Sequence, residues 1–342
     1  MPADLNRRIL LARHPQGMPC EADFALDTTA VPVPGEGQIL IRAHYLSCDP
    51  LQRIRMAESA TYGATIPLGT VVWGRQVGVV VASRHAGFRA GDIVEGMLGW
   101  QDFSLSDGGG RRAEYAPGIT RVDPTVAPIT TSLGVLGMPG VTAYFALTEI
   151  GRPRQGETVV VSGAAGTVGS LAGQIAKLMG CRVIGIAGGA AKVAHVTGRL
   201  GFDAAIDYRA TSDIAAALRA LAPEGVDVYF DNVGGPIRDA VLRVLRRGAR
   251  IALVGRISRM HDAAPTCPDP QVPLMHARAL MQGFIVYDYE HRAEEARSAV
   301  AAWIRDGRIR YDETIVDGFE NTPRAFIDML GGGNLGKMLV RV

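Results

Sequence analysis

The sequence predicts an α/β protein in which a doubly wound parallel sheet is inserted into a β-rich domain. Three observations predict it. From about residue 132, apolar strands alternate with helical stretches at 157–162, 168–179, 182–187, 192–200, 204–207, 213–221, 226–230, 236–246 and 250–254, as parallel strands joined by helical crossovers require. Residues 1 to about 130 instead carry short β-like runs between Gly and Pro turns, with no long amphipathic helix. After about residue 308 short β-like pieces return, and Gly331-Gly-Gly-Asn-Leu-Gly-Lys337 reads as a loop before a final strand. The expected boundaries are 1–131 and 306–342 for the β-rich domain and 132–305 for the insert, and a chain of 342 residues is long enough for two domains.

In the first part, Gln38–Ala43, Val77–Ala82, Asp92–Val94 and Ala113–Tyr115 read as strands, with turns at 34–37 and 89–92. An irregular β-barrel is expected. In the insert, Glu157-Thr-Val-Val-Val-Ser-Gly-Ala-Ala-Gly-Thr-Val-Gly169 reads as a strand, a glycine turn and the start of a helix, and Cys181–Ala187 as the next strand. That is the βαβ unit of a Rossmann dinucleotide site. Gly166 would let the backbone approach a pyrophosphate, the amides of Thr167 and Val168 would face it, and Gly169 would let the helix pack on the strand. Ala164 replaces the first glycine of the G-x-G-x-x-G fingerprint, so the pattern is a variant. At the end of the second strand, where an NAD site carries Asp or Glu, stand Ala187, Gly188 and Gly189, followed by Lys192. No carboxylate there repels a 2′-phosphate and a cation is one turn away, so NADP(H) is expected over NAD(H). The alternative for Lys192 is a solvated helix position. Asp227–Gly235 and Arg250–Gly255 read as strand ends running into polar or glycine loops, the carboxyl ends at which open parallel sheets bind ligand.

Composition excludes several other classes. The net charge is +2 with no Lys/Arg cluster, which favours neither nucleic acid nor an anionic membrane as partner. Cys20, Cys48, Cys181 and Cys267 are scattered without a C-x-x-C pair, which fits reduced thiols and no metal site. Pro15 cuts short the apolar run after Arg7-Arg8, and no long apolar segment follows, so neither a signal peptide nor a membrane span is expected, and a cytoplasmic location is.

The chain resembles, nearly end to end, the zinc-independent medium-chain dehydrogenase/reductase superfamily, in its branch of NADPH-dependent double-bond reductases. The residues that carry the resemblance are Tyr45–Pro50, Gly91–Val94, Gly96–Trp100, Leu136–Tyr144, Ala164–Gly169, Phe230–Gly235, Met281–Val286 and Asn334–Lys337. The resemblance implies a GroES-like barrel around the Rossmann insert. It implies that Lys192 and Tyr208 hold the 2′-phosphate, that Asn232 lies beside the cofactor, that Phe284 and Val286 flank the nicotinamide, and that Asn334 reaches the cofactor. Arg53 falls in the family's Asp-Pro-x-x-Arg motif, as a phosphate-positioning group or a structural one. A homodimer through the edge strand around 282–287 is also implied.

Relatives that oxidise alcohols carry a zinc-binding Gly-His-Glu motif where this chain has Gly74-Arg75-Gln76. Without those ligands, hydride addition to an electron-poor C=C is the expected chemistry, because the substrate carbonyl already spreads the developing charge. The expected substrate is an α,β-unsaturated ketone or aldehyde. A zinc-independent quinone reductase is the alternative, and a non-catalytic NADPH-binding protein a further one. The enolate stabiliser is less determined. A tyrosine of many relatives is Leu51 here, and a second one of mammalian members aligns approximately with His276. His276 and, from a segment resembling the Ser-Tyr-x-x-Pro stretch of relatives, Tyr62 are the candidate catalytic residues, with the cofactor's own ribose 2′-hydroxyl as the alternative. Leu51 and Trp100 are expected to shape an apolar substrate pocket.

Overall fold

The computed structural model describes residues 5–58, 63–109, 118–259 and 268–342. The chain divides into two units, Met1–Leu133 with Glu313–Val342, and Gly134–Asp312. The expected strand Ala113–Tyr115 lies outside the described residues.

The first unit opens with an antiparallel ribbon of β1 (Leu5–Leu11) and β2 (Phe24–Ala30), in register from Leu5 opposite Ala30 to Leu11 opposite Phe24. Its main sheet starts with β3 (Ile39–Ser47), β4 (Arg75–Ser83), β5 (Ile93–Met97), β6 (Phe103–Ser106) and β7 (Thr120–Arg121). Between β3 and β4 runs the short helix α1 (Pro50–Arg55), entered through Asp49, whose N–H donates to Gln52 Oε1 at 2.7 Å, with Pro50 in the first turn.

In the second unit, α2 (Met138–Phe145) precedes a regular succession: β8 (Thr158–Ser162), α3 (Thr167–Leu178), β9 (Arg182–Ala187), α4 (Ala190–Gly198), β10 (Ala204–Asp207), α5 (Ile214–Leu221), β11 (Val226–Asp231), α6 (Gly235–Leu242), β12 (Leu245–Leu253), α7 (Gln271–Ala277) and β13 (Leu280–Gly283), followed by α8 (Ala293–Arg305). All six strands are parallel, in the order β10-β9-β8-β11-β12-β13. Val159, Val160 and Val161 are fully buried, as a central strand covered on both faces must be. The strand order reverses between β8 and β11, so a crevice opens at their carboxyl ends.

The chain then returns to the first unit with β14 (Glu313–Asp317), α9 (Thr322–Gly331) and β15 (Lys337–Arg341). β15 pairs antiparallel with β3 and completes a seven-stranded sheet. α9 was not expected from the sequence. It buries Ala325 and Phe326 in the first unit's main core with Trp100, Phe24 and Met338. No described helix is long and apolar enough to cross a membrane.

Candidate functional site

The loop after β8 is built to leave amides facing outward. Gly163 takes φ +64°, a left-handed turn that L side chains rarely adopt, and its carbonyl accepts from Gly166 N at 3.1 Å. Gly166 is the N-cap of α3 and supplies no side-chain cap, so the first-turn amides of Thr167, Val168 and Gly169 are left for a ligand. A Cβ on Gly166 would meet only the Gly163 carbonyl oxygen, at 3.4 Å. The approach to the amides is therefore open, and the cradle fits a pyrophosphate. Gly169 is different: a Cβ there would lie 2.3 Å from the same oxygen. Ala164 is fully buried, its methyl turned against Gly185 of β9. The tight-turn role expected at position 164 thus belongs to Gly163, and Ala164 fills the space between strand and helix.

At the end of β9, a Cβ on Gly188 would fall 2.8 Å from the ring of Tyr208. The glycine makes room for that ring, which stays 41% exposed. Lys192 stands half-buried in the first turn of α4, its N–H donating to Gly189 O at 3.1 Å. The structure sets the Tyr208 ring against Gly188 at one strand end, with Lys192 in the first turn of the helix that follows. It adds Arg209, whose guanidinium carbon lies 5.9 Å from the centroid of the Tyr208 ring. The signal was present in the Asp207-Tyr-Arg209 run closing β10. Asp207 Oδ1 accepts from Gly189 N at 2.8 Å and Arg209 N at 2.9 Å, and these bonds hold its carboxyl below the usual range. Its charge is spent on ordering the turn that carries Gly188.

A buried network closes the crevice from below. Asp231 is fully buried at the end of β11, and its Oδ1 accepts from Tyr229 Oη (2.8 Å), Gly234 N (2.8 Å), Val233 N (3.0 Å) and Ser162 Oγ (3.2 Å). Burial pushes its carboxyl up despite those donors, and Oδ2 has no partner. Asn232 donates from Nδ2 to Ser162 O at 2.8 Å, tying the ends of β8 and β11 together. Its Nδ2 is committed within the protein, and so are the main-chain amides of the turn: Asn232 N donates to Ser162 Oγ at 3.0 Å, and Val233 N and Gly234 N donate to Asp231. Phe284, just past the end of β13, is buried and stacked on Tyr289 at 5.2 Å, while Val286 is half-buried.

In the first unit the expectations fare differently. Leu51 is half-buried on α1. Trp100 does not line a pocket: it is fully buried between Phe24 and Phe326, with Nε1 donating to Ser47 O at 3.2 Å. A side chain enclosed on all faces supports the wall rather than forming it. Arg53 donates to the carbonyls of Gly17 and Pro15, so its role is structural. Asn334 turns its amide to Gly336 O at 2.7 Å. Arg75 and Glu95 form a buried bidentate ion pair at the position of the zinc relatives' motif. Tyr62 lies outside the described residues.

His276 is a correction. It is exposed in the last turn of α7, just before Leu280 opens β13, and Leu280 pairs with Arg250. Arg250 in turn binds the Gly151 carbonyl and Glu157 at the start of β8. His276 therefore sits at the amino edge of the sheet, opposite the carboxyl ends that form the crevice. Sequence alignment lacks that polarity. Among the described residues, no group of three or more His, Cys, Asp or Glu is arranged to hold a metal ion.

Known proteins match this architecture throughout. Residues 7–113 match the N-terminal domain of oxidoreductase, and residues 167–303 match the zinc-binding dehydrogenase family. YfmJ of Bacillus subtilis (strain 168) is 45% identical over 340 residues, covering 98% of both chains. The NADPH-dependent curcumin reductase of Escherichia coli (strain K12) is 43% identical over 344 residues, covering 98% of this chain and 97% of that one. The crystal structure of CurA from Vibrio vulnificus in complex with NADPH superimposes with a TM-score of 0.91 at 43% identity, over 98% of this chain and 99% of that one. With the crevice, the glycine cradle and this likeness along the full length, the chain belongs to the zinc-independent medium-chain dehydrogenase/reductase superfamily, in its NADPH-dependent double-bond reductase branch.

Proposed function

We propose that the protein reduces the C=C bond of α,β-unsaturated ketones and aldehydes with NADPH. The observation that carries this reading is the end of β9, where the Tyr208 ring stands against Gly188 and α4 opens with Lys192 in its first turn, together with the uncapped start of α3. When bound, NADPH supplies the hydride that adds to the β-carbon. The protein's part is to hold and orient. The amides of Thr167, Val168 and Gly169 take the pyrophosphate, with Gly166 giving clearance. Lys192 and Tyr208, joined by Arg209, take the 2′-phosphate by charge and hydrogen bonding. The Asn232 turn, pinned by Ser162 and Asp231, forms a rigid support beside the nicotinamide, with Phe284, Val286 and Asn334 completing the cofactor's surroundings. Leu51 contributes an apolar wall for the acceptor. Tyr62 is the hydroxyl assigned to stabilise the developing enolate oxygen, with the α-carbon then taking a proton.

A homodimer is part of the proposal. β13 is the edge of the six-stranded sheet, and Leu280 on it and Met275 before it are 63% and 67% exposed, an apolar edge that a second copy would cover. The cytoplasm is the proposed location.

The test is a spectrophotometric screen of enones, enals and quinones with NADPH and NADH in parallel. The expected result is NADPH oxidation with an enone and a saturated carbonyl as product. Far better turnover of quinones would replace the reading with quinone reduction, and tight NADPH binding with no turnover would remove the enzyme altogether. Lys192→Ala should raise KM for NADPH by about tenfold or more, the loss of roughly one charge-assisted contact, and leave NADH kinetics nearly unchanged. Tyr62→Phe should lower kcat with little change in the KM for NADPH.

A further inference from the structure

A cavity lined by residues of α6, β12 and α7 lies outside the nucleotide crevice. It has a volume of about 570 Å³ and opens between the end of α6, the start of β12 and the segment carrying α7. That volume falls within the range of about 300–1,000 Å³ typical of small-molecule sites. Its apolar lining comes from the buried Leu242 and Ala277, from Leu245 and from Val272, which is 52% exposed. Three basic side chains, Arg243, Arg247 and His276, stand on its wall.

The charge balance there is uneven. Two carboxylates also line the cavity: Asp239 is paired with the Arg238 guanidinium at 2.9 Å, while Asp269 Oδ1 accepts from Gln271 N at 2.8 Å, a neutral donor that leaves its charge in place against the arginines. The neighbouring cation Arg246 pairs with Asp227. Arg243 and Arg247 make no ion pair with any described residue, and neither does His276. Two guanidiniums over an apolar floor match a ligand with one anionic end and an apolar body. The guanidinium fork fits a carboxylate with two parallel hydrogen bonds, while the floor rewards burial of a hydrocarbon chain.

We propose that this cavity binds amphipathic carboxylates, with Arg243 and Arg247 on the carboxylate and Leu242, Leu245 and Val272 on the chain. The site is separate from the reduction chemistry, because none of the residues lining it is among those that form the nucleotide crevice.

The experiment is calorimetric titration of sodium decanoate into the full-length protein saturated with NADPH, with inorganic phosphate titrated in parallel. Saturable decanoate binding is expected, at least about tenfold tighter than phosphate. In an Arg243→Ala/Arg247→Ala variant it should weaken by about tenfold or more, with enone reduction retained within about twofold. An Arg243→Lys/Arg247→Lys variant, which keeps the charge and loses the fork, should fall between the two. Absence of saturable decanoate binding to the NADPH-saturated protein would overturn the proposal. Equal affinity in the alanine variant would do so too, and phosphate binding as tight as decanoate would reject the amphipathic ligand. None of these three outcomes bears on whether the crevice reduces enones.

Discussion

Gly169→Ala is the substitution on which the crevice geometry makes its firmest statement. The added methyl would sit 2.3 Å from Gly163 O, 2.9 Å from Gly163 C and 3.1 Å from Ala164 Cα. Cβ atoms are essentially never found within 3.0 Å of another group, so helix and loop must part by at least about 0.7 Å. The obstacle is backbone, and its carbonyl is held in the turn by Gly166 N, so no side chain can swing aside. Two effects oppose each other. Replacing glycine by alanine inside a helix gains up to about 1 kcal/mol, and less in a first turn. Overpacking costs typically about 1–3 kcal/mol. The net should be a loss of roughly 1–2 kcal/mol, or about 2–8 °C in Tm for a unit of this size. Because the shift moves the amides of Thr167 and Val168, NADPH affinity should fall by about tenfold or more, equivalent to about 1.4 kcal/mol. Thermal unfolding by circular dichroism and NADPH fluorescence titration give the two numbers. An unchanged Tm together with an unchanged Kd would refute the contact between α3 and the turn. A lowered Tm with normal Kd would refute only the assignment of these amides to the pyrophosphate.

Three further outcomes follow from the same physics. Arg75→Met alone should cost about 3–5 kcal/mol in urea unfolding, because it strands the buried Glu95 carboxylate, whereas Arg75→Met/Glu95→Leu should return close to wild type; equal losses in both would show the pair is not what matters. Asp207, held low by its backbone donors, contributes stability that is present above the ordinary carboxylate value of about 3.9 and lost as pH falls through its lowered value. Asp207→Asn keeps an oxygen acceptor and should flatten that acid limb in unfolding midpoints between pH 2 and 5. Asp231 works in the opposite direction: pushed up by burial, it contributes stability that is present below about 3.9 and lost as pH rises through its raised value. Asp231→Asn should abolish that decline, and a wild-type slope in the variant would show that Asp231 is not its source.

What was legible in the sequence divides along a physical line. The parallel sheet announced itself because strands buried on both faces must be apolar runs, and the glycine at 169 because helix and strand must touch. α9 stayed hidden because Pro323 stands at its start and Gly331–Gly333 crowd its end, although Ile327, Met329 and Leu330 join Ala325 and Phe326 against the core. Trp100 read as a large apolar side chain available to a substrate pocket, but its indole N–H finds Ser47 O and its ring finds two phenylalanines, so it packs. Ala164 looked like a defect in the fingerprint. In space the left-handed turn had moved one residue back to Gly163, and the methyl filled a gap opposite Gly185. Each of these depends on which way a side chain points after the chain has turned, which spacing alone does not encode.

His276 shows the same principle at the scale of the whole sheet. An aligned position transfers a role only if the element carrying it arrives from the same end. α7 runs antiparallel to β13, so its last turn is delivered to the amino edge whatever residue occupies it. A histidine there cannot reach a nicotinamide held at the carboxyl edge, because β13 and its parallel neighbour β12 stand between the two ends. His276→Ala should therefore leave kcat for an enone within about twofold of wild type, an effect of under about 0.5 kcal/mol on the barrier. A loss of a hundredfold would mean that the segment before β13 doubles back to the crevice, and the sheet polarity argued above would have to be abandoned.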